Sequence, residues 1–422
     1  MDLDEEQRRR RAIELLQQGR RPGEVLRELG RSREWLAKWR RRFDQLGPAG
    51  LRDVSRAHRG HPARTTAPVV RAVLAARDRL ARHRGRQRFA GSGADAVAWE
   101  LELCDVPRPP ARRTIERILQ RAGRTAHPAA GPLHEKGGAP YPAPHARGPG
   151  DLQETDMVGP RHLRTPAGPV GFFAFHTVDV AGGGVATWQG PDKSAETFCV
   201  YLAEVAWIRL GLPTVWQVDN ETALAGFPGR PFTQPVRLAL LLGIEVRFIP
   251  PGEPGRQADI ESFNALWQAR VLRRFATPSL ARLAKVSDRF ERWFMDERPH
   301  PKLSVAQHGT RFPGELLAAR DGALRWMPRG FALARYRDAA GELRLPLSRG
   351  RISWVRRADE RGTLALHGRR LPLGRAAASQ YVVATLSTAR GEIAVRLPEG
   401  TVKLFRFPIA ERVVQRLRPS GA

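Results

Sequence analysis

The sequence has little cysteine, no long apolar run and too few acids to balance its bases. Its 422 residues include only two cysteines, Cys104 and Cys199. Two well-separated thiols exclude a disulfide framework and a cysteine-ligated zinc site, so we interpret both as core residues. No apolar run approaches the ~18 residues of a membrane-spanning helix, and the first residues are charged where a secretory signal would be apolar. We therefore expect a soluble, cytoplasmic protein with no membrane partner.

The shortage of acids leaves a large positive charge. Lys and Arg number 71 against 43 Asp and Glu, for a formal net charge of +28. A surplus of this size repels itself and is typical of proteins that bind polyanions, here nucleic acid. An arginine-rich proteome encoded by GC-rich DNA would produce the same composition without such a partner, and that alternative stays open. The length allows two to four domains.

Three acids in the middle of the chain form the most informative pattern. Asp156 and Asp219 each close a short β-branched or aromatic run that then breaks into Gly, Pro or Asn, which predicts two strand ends. Glu261 lies beside an apolar stripe of period three to four in the first turn of a predicted helix. Such an oxygen-rich cluster suits hard divalent cations, and a pair of them can activate a water or a 3′-hydroxyl of a nucleic acid.

The same residues carry a resemblance to a known family. Asp156, the pair Asp219-Asn220, and Glu261-Ser262-Phe263-Asn264 after a Pro- and Gly-rich loop resemble the ribonuclease H-like core of retroviral-type integrases and bacterial DDE insertion-sequence transposases. The resemblance implies an α/β core with a mixed sheet at 151–316. It also implies that Asp156, Asp219 and Glu261 are catalytic and hold two Mg²⁺ ions, for which Mn²⁺ can substitute.

The pattern departs from the family at three places, and other acids lie near the predicted three. Glu221 replaces a Gly, Gln257-Ala258 replaces Asn-Gly, and Ser262 replaces a basic residue. A lone acid at a strand end is more often a turn or capping residue, which is the alternative for each of the three. Among the neighbouring acids, Asp179 is interpreted as a turn residue and Asp259 as a charge at the start of a helix. Asp151 and Glu154, which flank Asp156, stay as rival candidates.

Residues 1–60 predict a helix-turn-helix DNA-binding domain. Gly19, Pro22, Gly30 and Ser32 mark the ends and starts of three short helices. The third presents basic residues outward as a recognition helix would, and a basic three-helix bundle without DNA contacts is the alternative. The candidate DNA contacts are Arg33, Lys38, Arg40, Arg41 and Arg42, with Arg56 in the linker that follows.

Residues 66–124 predict a second helical unit. Its last helix follows Pro109-Pro110 and resembles the second helix-turn-helix of the same transposases. The resemblance makes Arg112, Arg113 and Arg117 candidate DNA contacts. On the helix that carries Glu261, Arg270, Arg273 and Arg274 are further candidates, and a solvated face is the alternative there. Trp293 and Arg298-Pro299-His300 resemble a segment that follows such cores and are interpreted as packing residues.

The ends of the core are marked by changes in composition. Residues 125–150 are rich in Pro, Gly and Ala and predict a linker. Residues 326–410 show six short alternating runs divided by Gly, which predicts a small antiparallel β-barrel. The predicted fold class is therefore multidomain, with all-α helix-turn-helix units, a central ribonuclease H-like core and a C-terminal barrel.

These expectations lead to one function and two alternatives. The resemblance implies a DDE transposase or integrase that cleaves DNA 3′ ends and transfers them into target DNA, as a homo-oligomer on DNA in a bacterial nucleoid. A catalytically inactive descendant that binds DNA or regulates is the first alternative, and a nuclease without strand transfer is the second. An ATP-dependent protein that selects the target is neither required nor excluded by these residues.

Overall fold

The computed structural model describes residues 4–53, 65–125, 140–227 and 231–421. The chain forms two compact units, Met1–Thr66 and Ala67–Ala422. Within the described ranges, every helix is too short or too polar to cross a lipid bilayer.

The first unit is built from three helices whose starts and ends agree with the sequence prediction. They are α1 (Glu5–Gln17), α2 (Pro22–Leu29) and α3 (Arg33–Leu46). Ser32 caps α3 by accepting a hydrogen bond from Trp35 N at 3.2 Å. Gly30 ends α2 at a φ of 63°, a left-handed conformation that glycine adopts without strain. The predicted helix-turn-helix order is confirmed.

The second unit begins with three helices that pack against later parts of the chain. They are α4 (Ala67–Ala81), α5 (Ala94–Leu103) and α6 (Arg112–Arg121). Trp99 Nε1 donates to Glu297 O at 2.9 Å, and the rings of Phe89 and Phe275 lie 5.2 Å apart. These helices therefore share a hydrophobic core with the residues that follow.

A mixed sheet with flanking helices forms the centre of the second unit. Its first five strands are β1 (Leu152–Thr165), β2 (Gly168–Asp179), β3 (Val185–Gly190), β4 (Val215–Val218) and β5 (Glu245–Phe248). β1 to β3 pair antiparallel, whereas β1, β4 and β5 pair parallel. The spatial order β3-β2-β1-β4-β5 is the mixed-sheet core that the sequence predicted.

Helices connect these strands and cover both faces of the sheet. They are α7 (Ala195–Tyr201), α8 (Trp207–Leu210), α9 (Thr222–Ala225), α10 (Gln234–Leu241), α11 (Ala258–Trp267), α12 (Leu280–Arg292), α13 (Val305–His308) and α14 (Pro313–Ala319). A π-helical turn at Gln268–Leu272 continues α11. One hydrophobic cluster lies around Trp207, Trp216 and Trp354, and a second joins α4–α6 to α11 and α12.

The C-terminal strands do not form the predicted barrel. They are β6 (Arg351–Arg357), β7 (Thr363–Leu366), β8 (Arg369–Pro372), β9 (Tyr381–Ser387), β10 (Glu392–Arg396) and β11 (Val402–Arg406). β6 pairs parallel with β5, and β9, β10 and β11 follow antiparallel, so the described residues form one nine-stranded sheet. β7 and β8 make a separate hairpin. All six predicted runs form strands, but the predicted closure was wrong because alternation marks a strand without choosing its partner.

Candidate active site

Asp156 lies within β1, whereas the sequence predicted it at a strand end. β1 continues past Gly159-Pro160 through a register shift between Val158 and Arg161. Asn264 Nδ2, from α11, donates to Asp156 Oδ2 at 2.6 Å. Burial raises the pKa of Asp156 to about 6, and the charges of Asp219 and Glu261 contribute in the same direction. The negative charges of both other predicted acids therefore act on the pKa of Asp156.

Asp219 follows β4, as predicted, beside Asp156 on a parallel neighbouring strand. β1 and β4 pair at Gln153–Trp216 and Glu154–Gln217, so the chain leaves β4 next to Asp156. Asp219 Oδ1 accepts from Glu221 N at 3.0 Å. Burial raises the pKa of Asp219, Glu221 raises it further, and Lys193 opposes this. Glu221 itself pairs with Lys193 at 3.1 Å, so the acid that replaces the family's Gly has its own counter-charge.

Glu261 lies in the first turn of α11 and is half-buried, as the helical pattern predicted. Among the described residues, no hydrogen-bond or ion-pair partner reaches its carboxylate, and none reaches Asp219 Oδ2. Unpartnered carboxylate oxygens facing like charges are the donors that a hard divalent cation uses. Within the described ranges, however, no three His, Cys, Asp or Glu side chains stand together in positions that could hold a metal ion. The three acids thus suit a cation by their chemistry, but their carboxylates do not form a preformed ligand set among the described residues.

The rival acids have structural partners. Glu154 is buried, accepts from Gln217 Nε2 at 3.0 Å and from Ile260 N at 3.2 Å, and has its pKa raised to about 7, chiefly by burial. It thereby anchors the first turn of α11. Asp179 accepts from Gly150 N and Gly182 N at 2.7 and 2.6 Å, in agreement with its interpretation as a turn residue. Asp259 pairs with Lys302 at 2.6 Å.

A buried pair that the sequence did not predict fixes Asp156. His176, on β2, is fully buried, and its Nδ1 lies 2.5 Å from Asn264 Oδ1. Because Asn264 donates to Asp156 through Nδ2, its oxygen accepts from His176 Nδ1–H. Burial lowers the pKa of His176 to about 4, so the ring is neutral at pH 7. The only available signal was Asn264, which closes the Glu261-Ser262-Phe263-Asn264 segment.

A second unpredicted contact joins the C-terminal strands to the site. Arg356 Nη2, on β6, donates to Asn220 Oδ1 at 2.6 Å, and its Nη1 donates to Ile249 O at 2.9 Å. Asn220 Nδ2 also donates to Ile249 O at 2.7 Å. The residue after Asp219 is thus held by a strand from the segment that was predicted to form a separate barrel. No local pattern around Arg356 indicates this contact.

The predicted DNA contacts occupy varied surroundings. In the first unit, Arg33, Lys38, Arg40 and Arg41 are exposed on α3. Arg42 is partly buried, stacks on Trp39 and donates to Arg52 O at 3.2 Å, so part of its role is structural. Arg56 lies outside the described residues. In the second unit, the exposed residues are Arg112, Arg113, Arg117 and Arg273, and the partly buried ones are Arg270 and Arg274.

Two family models match segments of the chain. Residues 4–52 match a homeodomain-like domain, and residues 242–306 match an integrase core domain. The second segment includes α11 with Glu261 and ends before the C-terminal strands. Asp156 and Asp219 lie outside it.

Solved structures similar to this chain include three from retroviruses. One is the cryo-EM structure of the simian T-cell lymphotropic virus intasome in complex with PP2A regulatory subunit B56 gamma, at 14% identity over 76% of this chain and 96% of that chain, with a TM-score of 0.32. The HTLV-2 integrase catalytic core domain in complex with magnesium, in its trimeric form, matches at 14% identity over 41% and 99%, with a TM-score of 0.29. The BIV integrase catalytic core domain matches at 15% identity over 41% and 97%, with a TM-score of 0.31.

TM-scores this low transfer neither residue roles nor partners, so what the comparisons show comes from the two matched segments. A homeodomain-like segment precedes an integrase core segment, in the order and at the places where the sequence predicted a helix-turn-helix and a ribonuclease H-like core. The chain is therefore similar to a homeodomain-like domain over residues 4–52 and to an integrase core domain over residues 242–306.

Proposed function

We propose that this chain is a DDE-type polynucleotidyl transferase that cleaves 3′ ends of a DNA element and joins them to target DNA. One observation carries the proposal: Asp156, Asp219 and Glu261 come from three separate elements, and burial together with the charges of the other two raises the pKa of Asp156. Holding like charges together is costly unless a cation or a reaction uses them. An ion pair compensates another buried acid, Glu291, which Arg209 contacts at 2.7 Å.

In this proposal the acids bind metal, neighbouring residues position the acids, and the helical domains bind DNA. Asp156, Asp219 and Glu261 would hold Mg²⁺ or Mn²⁺. Bound metal would supply the activation of a water or 3′-hydroxyl and the stabilisation of the leaving oxygen. Asn264 and His176 fix the carboxylate of Asp156, and Arg356 fixes the loop that carries Asp219. The helix-turn-helix and α6 would bind the element ends, and joining two ends in one event calls for a homo-oligomer on DNA in the bacterial nucleoid.

The test is a cleavage and strand-transfer assay on DNA that carries the element ends, with Mg²⁺ or Mn²⁺. We expect wild-type protein to give nicked and joined products and Glu261→Gln to give neither, with DNA binding unchanged. Asp259→Asn is the matched control, because Asp259 lies on the same helical turn but pairs with Lys302. We expect this variant to cleave.

A catalytically inactive DNA-binding protein is the second candidate. Two observations favour it: Glu221 stands beside Asp219, and Asn264 already occupies Asp156 Oδ2. Tight, salt-dependent DNA binding with no metal-dependent cleavage by wild-type protein would establish it and exclude the transferase. Cleavage without joined products would instead indicate a nuclease.

A further inference from the structure

A group of arginines in the second unit has no acid to neutralise it. The arginine cluster consists of Arg88, Arg270, Arg274 and Arg298. In the described part of the chain, no carboxylate oxygen lies within 4.0 Å of any of these four guanidinium groups. Arginines on the neighbouring helices do find acids, as Arg311 does with Glu102 at 2.8 Å and Arg112 with Asp95 at 3.2 Å.

Aromatic rings and backbone hold the cluster in place. Arg88 and Arg274 both stack on Phe275, at 5.4 and 6.0 Å from the ring centre. Arg298 stacks on Phe294 at 4.7 Å, and Arg274 Nη1 donates to Ala90 O at 3.0 Å. These contacts orient the guanidinium groups and leave their charge uncompensated.

Arg270 is held most closely. A Cβ at Gly91 would lie 2.6 Å from Arg270 Nη2, so the guanidinium lies directly on the glycine backbone. Its Nε is buried without a hydrogen-bond partner among the described residues. The absence of a side chain at Gly91 thus makes room for the Arg270 guanidinium, which has no acidic partner among the described residues.

Burial and mutual repulsion both disfavour the positive charge of the cluster. Burial lowers the pKa of Arg270, Arg274 and Arg298, and repulsion from Arg270 adds to the effect on the other two. Asp95 opposes this for Arg298, but its nearest cation is Arg112. Bringing desolvated like charges together is unfavourable unless an anion joins them.

The cluster borders a cleft whose wall includes Leu266 on α11. The cleft has a volume of about 500 Å³ and lies between the α5 region and the α11–α12 region, with Arg270, Arg298 and His300 in its wall. The wall also contains two acids, Asp95 and Glu102, which pair with Arg112 and Arg311. The segment from Arg298 continues to Lys302, which binds Asp259 in the first turn of α11. Arg270 lies nine residues after Glu261, about 14 Å along a helix at 1.5 Å per residue.

We propose that this cleft binds the phosphodiester backbone of DNA, with Arg270 and Arg298 contacting phosphates and Arg88 and Arg274 supplying further positive charge. The site deepens the proposed function, since it supposes that DNA is the substrate. Planar guanidinium groups suit phosphate oxygens, and backbone contacts carry no sequence information. The cleft would therefore contribute affinity for any DNA sequence and position the strand that runs past the acids.

The experiment measures binding of the full chain to a labelled duplex of arbitrary sequence by fluorescence anisotropy, in EDTA and over a range of salt concentrations. The variant is Arg270→Gln/Arg298→Gln. The control is Arg337→Gln/Arg344→Gln, which removes the same charge from arginines paired with Glu196 and Asp338. We expect the cleft variant to bind at least about tenfold more weakly and the slope of log affinity against log salt to fall by about 1.8, since each phosphate contact contributes about 0.9.

Two further measurements keep the test decisive. Arg298 packs on a core ring, so thermal unfolding of each variant and the single Arg270→Gln change, with an expected slope loss of about 0.9, separate lost binding from lost folding. Equal slopes for cleft variant and control would overturn the proposal. So would stabilisation of wild type by inorganic phosphate together with undiminished DNA binding by the variant, which would mark a small-anion site.

Because the assay contains no metal, its outcome is separate from that of the proposed function. Loss of binding in the cleft variant, with no cleavage by wild-type protein, would uphold the cleft and exclude the transferase. Cleavage by wild-type protein, with full DNA affinity in the cleft variant, would support the transferase and exclude the cleft as a DNA site.

Discussion

The candidate active site and the arginine cluster hold charges of opposite sign in the same way. In one, burial raises the pKa of Asp156 and Asp219; in the other, burial lowers the pKa of Arg270 and Arg298. Glu291, elsewhere in the unit, has its counter-ion Arg209 at 2.7 Å, whereas among the described residues no counter-ion lies within 4.0 Å of the three acids or of the arginine cluster. The two unpaired sets are therefore best understood as sites whose counter-charge comes from outside the chain: a cation for the acids and a phosphate for the arginines.

The two sets differ in what fixes them. Directional hydrogen bonds hold Asp156 and Asp219, from Asn264 and from Glu221 N. Stacking on Phe275 and Phe294 holds most of the arginine cluster. Hydrogen bonds set atom positions closely, as chemistry requires, whereas stacked guanidinium groups can follow a backbone. Changes at the acids should therefore alter rate, and changes at the arginines should alter affinity.

The largest expected effect comes from Asp156→Asn. Removing this charge should lower the rate of metal-dependent cleavage by about 10³-fold, in the range found when one group that stabilises a transition state is lost. The variant should keep its DNA affinity and should not unfold at a lower temperature, because a desolvated charge beside two like charges is removed. Cleavage rates with Mg²⁺, anisotropy and thermal unfolding measure the three quantities. If DNA affinity fell as much as the cleavage rate, the expectation that the acids control rate and the arginines control affinity would be wrong.

The second prediction concerns the buried imidazole that supports Asp156. Burial lowers the pKa of His176 from 6.5 to about 4, so the folded protein keeps the ring neutral while the unfolded chain protonates it. Its contribution to stability is complete above pH 6.5 and is lost as the pH falls towards 4. His176→Gln keeps a donor for Asn264 and removes this dependence.

The free energies of unfolding of wild type and His176→Gln should therefore converge by roughly 2 kcal/mol between about pH 7.5 and pH 5. Urea unfolding at both pH values measures this change. The exposed His162 supplies the control His162→Gln, for which no such convergence is expected. A constant difference between wild type and His176→Gln would show that the imidazole is not held neutral by burial.

How much of this site the sequence predicted depends on the range of each contact. Asp219 and Glu261 were placed correctly because a strand end and a helical first turn are local patterns. Asp156 was identified, but the strand was predicted to end there because Gly159-Pro160 ordinarily stops one, whereas β1 continues through a register shift. His176 and Asn264 are 88 residues apart, and Arg356 and Asn220 are 136 apart. Contacts between residues so far apart depend on which strands pair, and the sequence of a single segment does not indicate its partner strand.

The barrel prediction failed for the same physical reason. The runs β9 and β10 bury every second side chain, as the alternating pattern predicted. β6 nevertheless pairs with β5, more than 100 residues earlier at Val246–Ile352. The consequence is functional, since this pairing brings Arg356 to Asn220.

The third prediction tests that consequence. Arg356→Gln should lower the cleavage rate about tenfold, or about 1.4 kcal/mol, because Asn220 Oδ1 and Ile249 O lose a donor beside Asp219. DNA affinity should not change, since the Arg356 guanidinium is partly buried and donates hydrogen bonds to Asn220 Oδ1 and Ile249 O. Arg357→Gln, an exposed neighbour on the same strand, is the control and should cleave normally. If Arg356→Gln lost affinity and kept its rate, Arg356 would belong with the arginine cluster instead.

The smallest effect should come from the exposed pair beside Asp219. Lys193 and Glu221 are paired at 3.1 Å, and their charges act on the pKa of Asp219 in opposite directions. Glu221→Gln frees Lys193 to face Asp219, where it competes with a metal ion, so the Mg²⁺ concentration for half-maximal cleavage should rise by up to about threefold. Lys193→Gln should lower that concentration by a similar factor, and the double variant should lie near wild type. Since the pair is largely exposed, all three differences should shrink in high salt, whereas the effects at the partly buried Asp156 and Arg356 should persist. Shifts in the same direction for both single variants would mean that Glu221 and Lys193 act on the site through its backbone and not through their charges.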